Sequence, residues 1–329
     1  MKLSQIGEFG LIDLIRKRFP ATDKNLLVGI GDDAAVIKIT PERFLIFTTD
    51  TLREGVHFDL TYYSHQQVGW KAMAANLSDV AAMGGIPTFG LVSLGLPKNK
   101  KTEDVLRIYQ GMFGLAKRFG CKLCGGDLFL SSEIVITLTL LGEVEPEFLV
   151  RRSGAKPGDL ICVTGDLGQS QAGLEIIKNK KSSKPSWLKK HLQPLPRVNE
   201  ARKLAKTLTL TSMIDISDGL SSDLYHIAEE SKVGALIFAQ EIPIGRSLLR
   251  MASVLRKSPL DLASRSGEEY ELLFTIPKTQ KEKLQLLKRK TPGLKITLIG
   301  EIKEKKEGLK ILDSKGKLKK LKKSGYSHF

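Results

Sequence analysis

Aspartates recur in this chain within short segments nearly empty of lysine and arginine, although its 329 residues carry a net charge of +16. GIGDDAAV holds Asp32 and Asp33, TTDT holds Asp50, NLSD holds Asp79, GGD holds Asp127, and DISDG holds Asp215 and Asp218. NLLVGIGDDAAVI and TSMIDISDGLSSDL contain no basic residue, and the stretch 69–97 contains one, Lys71. Each island reads as a strand end, a glycine turn or a small-residue helix. Two adjacent carboxylates such as Asp32 and Asp33 repel by roughly 4 kcal/mol at ~4 Å and an effective dielectric of about 20. They must splay into water, take up a proton or share a cation. A lone aspartate in such a place is often a cap or turn former, and Ser217 and Asp218 are placed to cap a helix starting at Gly219. Recurrence with the same flanks argues instead that the fold gathers the islands into one site. There the charge exceeds what hydrogen bonds absorb, and hard divalent cations resolve it, since magnesium takes oxygen ligands and joins carboxylates to substrate phosphates.

The fold class expected is a mixed α and β architecture in two domains, 1–148 and 149–329, with the Gly, Pro and charge of RRSGAKPGD (151–159) at the junction. The N-terminus reads as a short amphipathic helix rather than a signal peptide. LLVGIG, AVIKI and FLIFTTD are strand-like, a helix runs from about Ser64 to a stop at Gly84 and Gly85, and FGLVSLGLP returns to strand. A helix over Thr102 to Gly120 and strands in CKLCGGD and EIVITLTLLGEV complete the first half. In the second, LICVTG is a strand, a helix lies near 168–177, and SMIDISDGLSSDLYHIAEES is a strand, a turn and a helix.

Composition narrows the function. No apolar run approaches the ~20 residues that span a bilayer, which predicts no membrane partner, and three cysteines form no disulfide framework, in keeping with a cytoplasmic location. Cys121 and Cys124 lack the further ligands of a zinc site and are expected to be buried and structural. The lysines crowd into 178–190 and 315–323 without interleaved aromatics, so a solvated loop and a solvated tail are expected and no specific nucleic-acid partner. GIGDDA fits the dinucleotide fingerprint, but that needs a helix after the glycines, and AAVIKITP reads as a strand ending at Pro41, part of a hairpin. No P-loop and no protein-kinase motif occurs, so phosphate handling rests on metals.

GEFGLI, GIGDDAAV, TTDTLREGVHF, KAMAANLSDVAAMGG, GGD, RRSGAKPGD, DISDGLSSDL, SGEEYELLF and GYSHF, in this order from Gly7 to Phe329, resemble the thiamine-monophosphate kinase family. That family belongs to the superfamily of aminoimidazole-ribonucleotide synthetase, whose other ATP-using enzymes are the main alternative. The resemblance implies a homodimer paired through its N-terminal sheets, with ATP and thiamine monophosphate bound between each protomer's two domains. It also implies direct in-line transfer without a phosphoenzyme, supported by several magnesium ions. Asp33, Asp50, Asp79, Asp127, Asp215 and Asp218 would be ligands, Asp32 a further member, and Thr48 and Thr49 helpers, with Asp50, Asp127 and Asp218 central to catalysis. Tyr109, Gly126, Asp127, Arg152 and Ser217 would contact ATP. His57, Glu268 and Tyr326 would shape the thiamine-phosphate pocket. SGEEYEL departs from the family pattern in having Ser266 and Glu269 where Gly and Asp are common.

Overall fold

A long, almost wholly buried helix stands between two sheets, and the rest of the molecule is arranged around it. The computed structural model describes residues 3–325, with side chains from Gln5 onward, so Tyr326 lies outside the described residues. Helix α1 (Leu3–Arg18) is interrupted at Gly7, and β1 (Leu26–Val28), β2 (Ala35–Thr40) and β3 (Arg43–Arg53) follow. The expected hairpin after the paired aspartates is β2–β3, antiparallel with Ala35 opposite Phe47.

Helix α2 (His65–Ala82) begins at Ser64, whose side chain accepts from the Gln67 N–H while Gln67 reaches back to the Ser64 N–H. This reciprocal cap fixes the helix start. Thirteen of its 18 residues are buried, so it packs on all sides instead of presenting one stripe. β4 (Ile86–Leu96), α3 (Thr102–Arg118), β5 (Lys122–Leu130) and β6 (Val135–Val144) complete the first unit. Its sheet runs β1-β2-β3-β6-β4-β5. α2 and α3 cross at glycines: a Cβ on Gly69 would sit 1.9 Å from the Ile108 carbonyl oxygen, and one on Gly111 1.9 Å from that of Gln66.

The helices cover one face of this sheet and leave the other open. Phe89, Leu91 and Phe129 on the open face are 46%, 50% and 43% exposed, an apolar patch on an edge. Cys124 lies on β5 and is exposed, contrary to expectation, because β5 is the edge strand; Cys121 is buried.

The second unit contains β7 (Leu160–Thr164), α4 (Gln169–Lys178), α5 (Pro185–Leu192), α6 (Val198–Thr207), β8 (Ser212–Asp215), α7 (Leu220–Ser231), β9 (Gly234–Phe238), α8 (Arg246–Leu255), α9 (Pro259–Arg265), β10 (Leu272–Ile276), α10 (Lys281–Lys290), β11 (Ile296–Lys303), β12 (Leu309–Leu312) and β13 (Leu318–Lys320). Its sheet order is β13-β12-β9-β11-β7-β10-β8. One apolar core joins α2 to this sheet, with Met73 and Leu77 in the same cluster as Met213, Leu272 and Phe274. Two basic segments differ from expectation. Residues 185–190 are helical, in α5, and 318–320 pair with β12 as β13 while keeping their lysines exposed.

Candidate active site

Four acidic islands meet in a cleft of about 1760 Å³ between the two sheets. β3 supplies Thr48 and Asp50, the turn before β2 supplies Asp32 and Asp33, α2 supplies Asp79 and the end of β8 supplies Asp215. Carboxylate oxygens of Asp33, Asp79 and Asp215 all lie within 4.8 Å of one another, and Asp50 and Asp79 are hydrogen-bonded together. Hydroxyls hold the outer oxygens: Thr48 donates to Asp79 Oδ2 at 2.6 Å, and Ser78 to Asp215 Oδ2 at 2.6 Å. On α2 it is Ser78, the neighbour of Asp79, that reaches across to the second sheet.

The neighbouring aspartates Asp32 and Asp33 are kept apart by one arginine. The Arg152 backbone N–H donates to both oxygens of Asp32 at 3.2 Å, and Arg152 Nη2 donates to Asp33 Oδ1 at 2.5 Å. This cation arrives from 120 residues away, so the islands lack basic residues only locally. One arginine does not balance the cluster. Burial pushes Asp32 up to about 7, with Asp33 adding to the effect, and pushes Asp215 up to about 8. Asp33, Asp50 and Asp79 are raised as well, burial being the largest cause in each. Asp33 Oδ2 is buried without a hydrogen-bond partner. Crowded carboxylates whose ionisation burial opposes, one of them with an oxygen left unpaired, suit divalent cations, which bind the ionised form. The donors are all oxygens, as magnesium prefers.

Thr49, His57, Arg152, Ser217, Asp218 and Glu268 also line the cleft. Asp218 forms a second group with Asp223 and His226, ligand atoms within 4.8 Å. The expectation that Ser217 and Asp218 cap α7 is not met: Asp223 Oδ2, from inside the helix, accepts the Gly219 N–H at 3.0 Å.

Tyr109, Gly126 and Asp127 are not gathered into the cleft of the same chain. Tyr109 packs beside Phe113 on α3, 6.4 Å between ring centroids. Asp127 sits on β5, level with Ser93, Thr137 and Thr51 across the sheet, on the open face. Asp50 projects from the opposite face, and three strand spacings separate β5 from β3, ~14 Å.

A set of buried charges that sequence reasoning missed stands behind the Ser266–Glu271 loop. Lys190, placed by its sequence in a solvated segment, is turned inward, 3.2 Å from Glu269 and paired with Glu271. Arg197 donates to both oxygens of Glu271 at 2.7 Å. The two departures from the family pattern touch each other: Ser266 donates to Glu269, which also accepts the Gly168 and Ser170 N–H groups at 2.8 and 3.0 Å. Burial opposes ionisation of Glu271, but Lys190 and Arg197 hold it down to about 2. Its folded value lies below the free value, so this pairing stabilises fully above about pH 4.5 and is lost as pH falls towards 2. Glu271→Gln is expected to cost about 3 kcal/mol at neutral pH by leaving two partly buried cations short of a counter-charge, read as a fall in Tm.

The family model for the AIR synthase related protein N-terminal domain matches residues 31–144, and that for the C-terminal domain matches 156–311. The thiamine-monophosphate kinase of Aquifex aeolicus is 37% identical over 333 residues, covering 100% of both chains. That of Bacillus subtilis is 37% identical over 328 residues, 96% of this chain and 98% of its own. The solved structure of AaThiL complexed with AMPPCP and TMP superposes with a TM-score of 0.88 at 38% identity, over 100% of this chain and 99% of that one.

Proposed function

Because the chain belongs to the thiamine-monophosphate kinases, within the AIR synthase related proteins, we infer that it transfers the γ-phosphoryl group of ATP to the phosphate of thiamine monophosphate, giving ADP and thiamine diphosphate. The observation that carries this reading is the convergence of Asp33, Asp50, Asp79 and Asp215 in one cleft. These residues would hold magnesium ions, which supply neutralisation of the phosphate oxygens as charge redistributes during transfer.

The chain's own groups supply orientation. Thr48 and Ser78 fix Asp79 and Asp215 by hydrogen bonds, so the remaining carboxylate oxygens keep their direction. Arg152, on the cleft wall beside Asp33, carries a guanidinium fork suited to phosphate oxygens. The accepting phosphate needs no strong base, since its second pKa near ~6 leaves it largely ionised at neutral pH. His57 and Glu268 on the cleft wall would receive the thiamine half, a carboxylate and a ring opposite a cationic thiazolium.

The position of Asp127 argues for a dimer. As an ATP and metal contact it lies too far along the sheet to serve its own chain, yet it shares the open face with Thr49 and the apolar patch. Pairing two open faces would bury Phe89, Leu91 and Phe129 and bring the partner's Asp127 towards this chain's Thr49 edge. No helix of the described residues is long and apolar enough to cross a membrane, and we place the enzyme in the cytoplasm. Purified protein with ATP, magnesium and thiamine monophosphate is expected to give equimolar ADP and thiamine diphosphate; ADP without the diphosphate would point to another activity of the superfamily and overturn the reading.

A further inference from the structure

Lys71 is the single basic residue in the stretch 69–97, and it is 1% exposed. Its ammonium has three N–H donors and the structure provides three acceptors. Lys71 Nζ lies 2.6 Å from Glu268 Oε1, donates to the His57 carbonyl oxygen, and is 3.4 Å from the Tyr63 hydroxyl. Tyr63 in turn donates to the His191 carbonyl oxygen at 3.0 Å. One nitrogen therefore ties together the loop after β3, the segment before α2, the end of α5 and the loop before β10.

Two of these partners, His57 and Glu268, line the cleft. Glu268 is held at φ 56°, a left-handed conformation unusual for a glutamate and kept only where surrounding contacts over-determine it. Its backbone N–H is fixed by the Ser217 carbonyl at 2.7 Å and its Oε1 by Lys71. Oε2 is left on the cleft side, 3.7 Å from His191 Nδ1.

We propose that Lys71 is the positioning residue of the thiamine-phosphate pocket: by tying the His57 loop of one domain to Glu268 of the other, it sets the affinity for that substrate without touching it. The proposal rests on the reading of His57 and Glu268 as pocket residues. With all three donors engaged, Lys71 has none to offer a ligand, which separates it from Arg152 and from the aspartates. The groups facing Glu268 are Lys71, His191 and His57; burial works against its ionisation and the lysine holds it ionised.

The test uses the whole protein and direct binding of thiamine monophosphate by calorimetry, with KM, kcat and Tm measured beside it. Lys71→Met is expected to weaken thiamine monophosphate about tenfold or more, to raise its KM similarly, and to leave KM for ATP unchanged. The double variant Lys71→Met/Glu268→Gln, which strands no buried charge, keeps the test open where the single variant does not fold. It is expected to bind no more weakly than Glu268→Gln alone, because the lysine acts through the glutamate. A Tm loss in Lys71→Met with unchanged affinity would overturn the proposal, as would additive losses in the double variant. If Glu268→Gln itself binds normally, the pocket reading fails first and the lysine proposal falls with it.

Discussion

Asp79→Asn is expected to lower kcat/KM for thiamine diphosphate formation on the order of 10³-fold, about 4 kcal/mol of transition-state stabilisation. Asp79 stands at the centre of the cluster: it accepts from Thr48, shares a hydrogen bond with Asp50 and lies within reach of Asp33 and Asp215. Asparagine keeps its shape and removes its charge. The same substitution is expected to raise the Tm of metal-free protein, since a buried like-charge crowd becomes smaller. Magnesium with an ATP analogue should then shift Tm less than in the parent, because stabilisation by a ligand follows its affinity for the folded state. An activity loss accompanied by a lower metal-free Tm would mean that Asp79 is structural. Unchanged activity would remove it from the site.

Mixing two inactive variants is expected to restore activity. If Asp127 serves the partner's cleft, then Asp79→Asn and Asp127→Asn each disable both sites of their own dimer. A mixed dimer carries both lesions in one site and neither in the other, so equal co-expression should recover about a quarter of parent activity, given random pairing in a two-fold dimer. The open face makes the pairing testable separately. Leu91, half exposed on that face and absent from the cleft wall, becomes Leu91→Asp, which is expected to yield an inactive monomer in sedimentation. Failure of the mixture to exceed its parents would return Asp127 to its own chain.

Much of the first unit can be read from local signals. The Ser64 cap, the glycine stop after Ala82 and the β-branched alternation around Pro41 mark elements whose causes are within a few residues of one another. The basic-free islands likewise point to Asp33, Asp50, Asp79 and Asp215 as one site, because excess charge must be resolved somewhere. Long-range pairing is less legible. Nothing around Lys190 distinguishes it from its solvated neighbours, and only the fold turns it inward onto Glu269 and Glu271. Arg152 answers the Asp32 and Asp33 repulsion from a linker, and Cys124 is exposed because of where β5 falls in the sheet order. The isolation of Lys71 among apolar and acidic residues was a usable sign that its charge is needed inside.

The most direct test is anomalous diffraction from crystals grown with manganese, a non-hydrolysable ATP analogue and thiamine monophosphate. Manganese peaks are expected within ~2.3 Å of the carboxylate oxygens of Asp33, Asp79 and Asp215, between those residues and the nucleotide phosphates. Peaks confined to the triphosphate, with those three carboxylates touching only Arg152, Thr48 and Ser78, would contradict it.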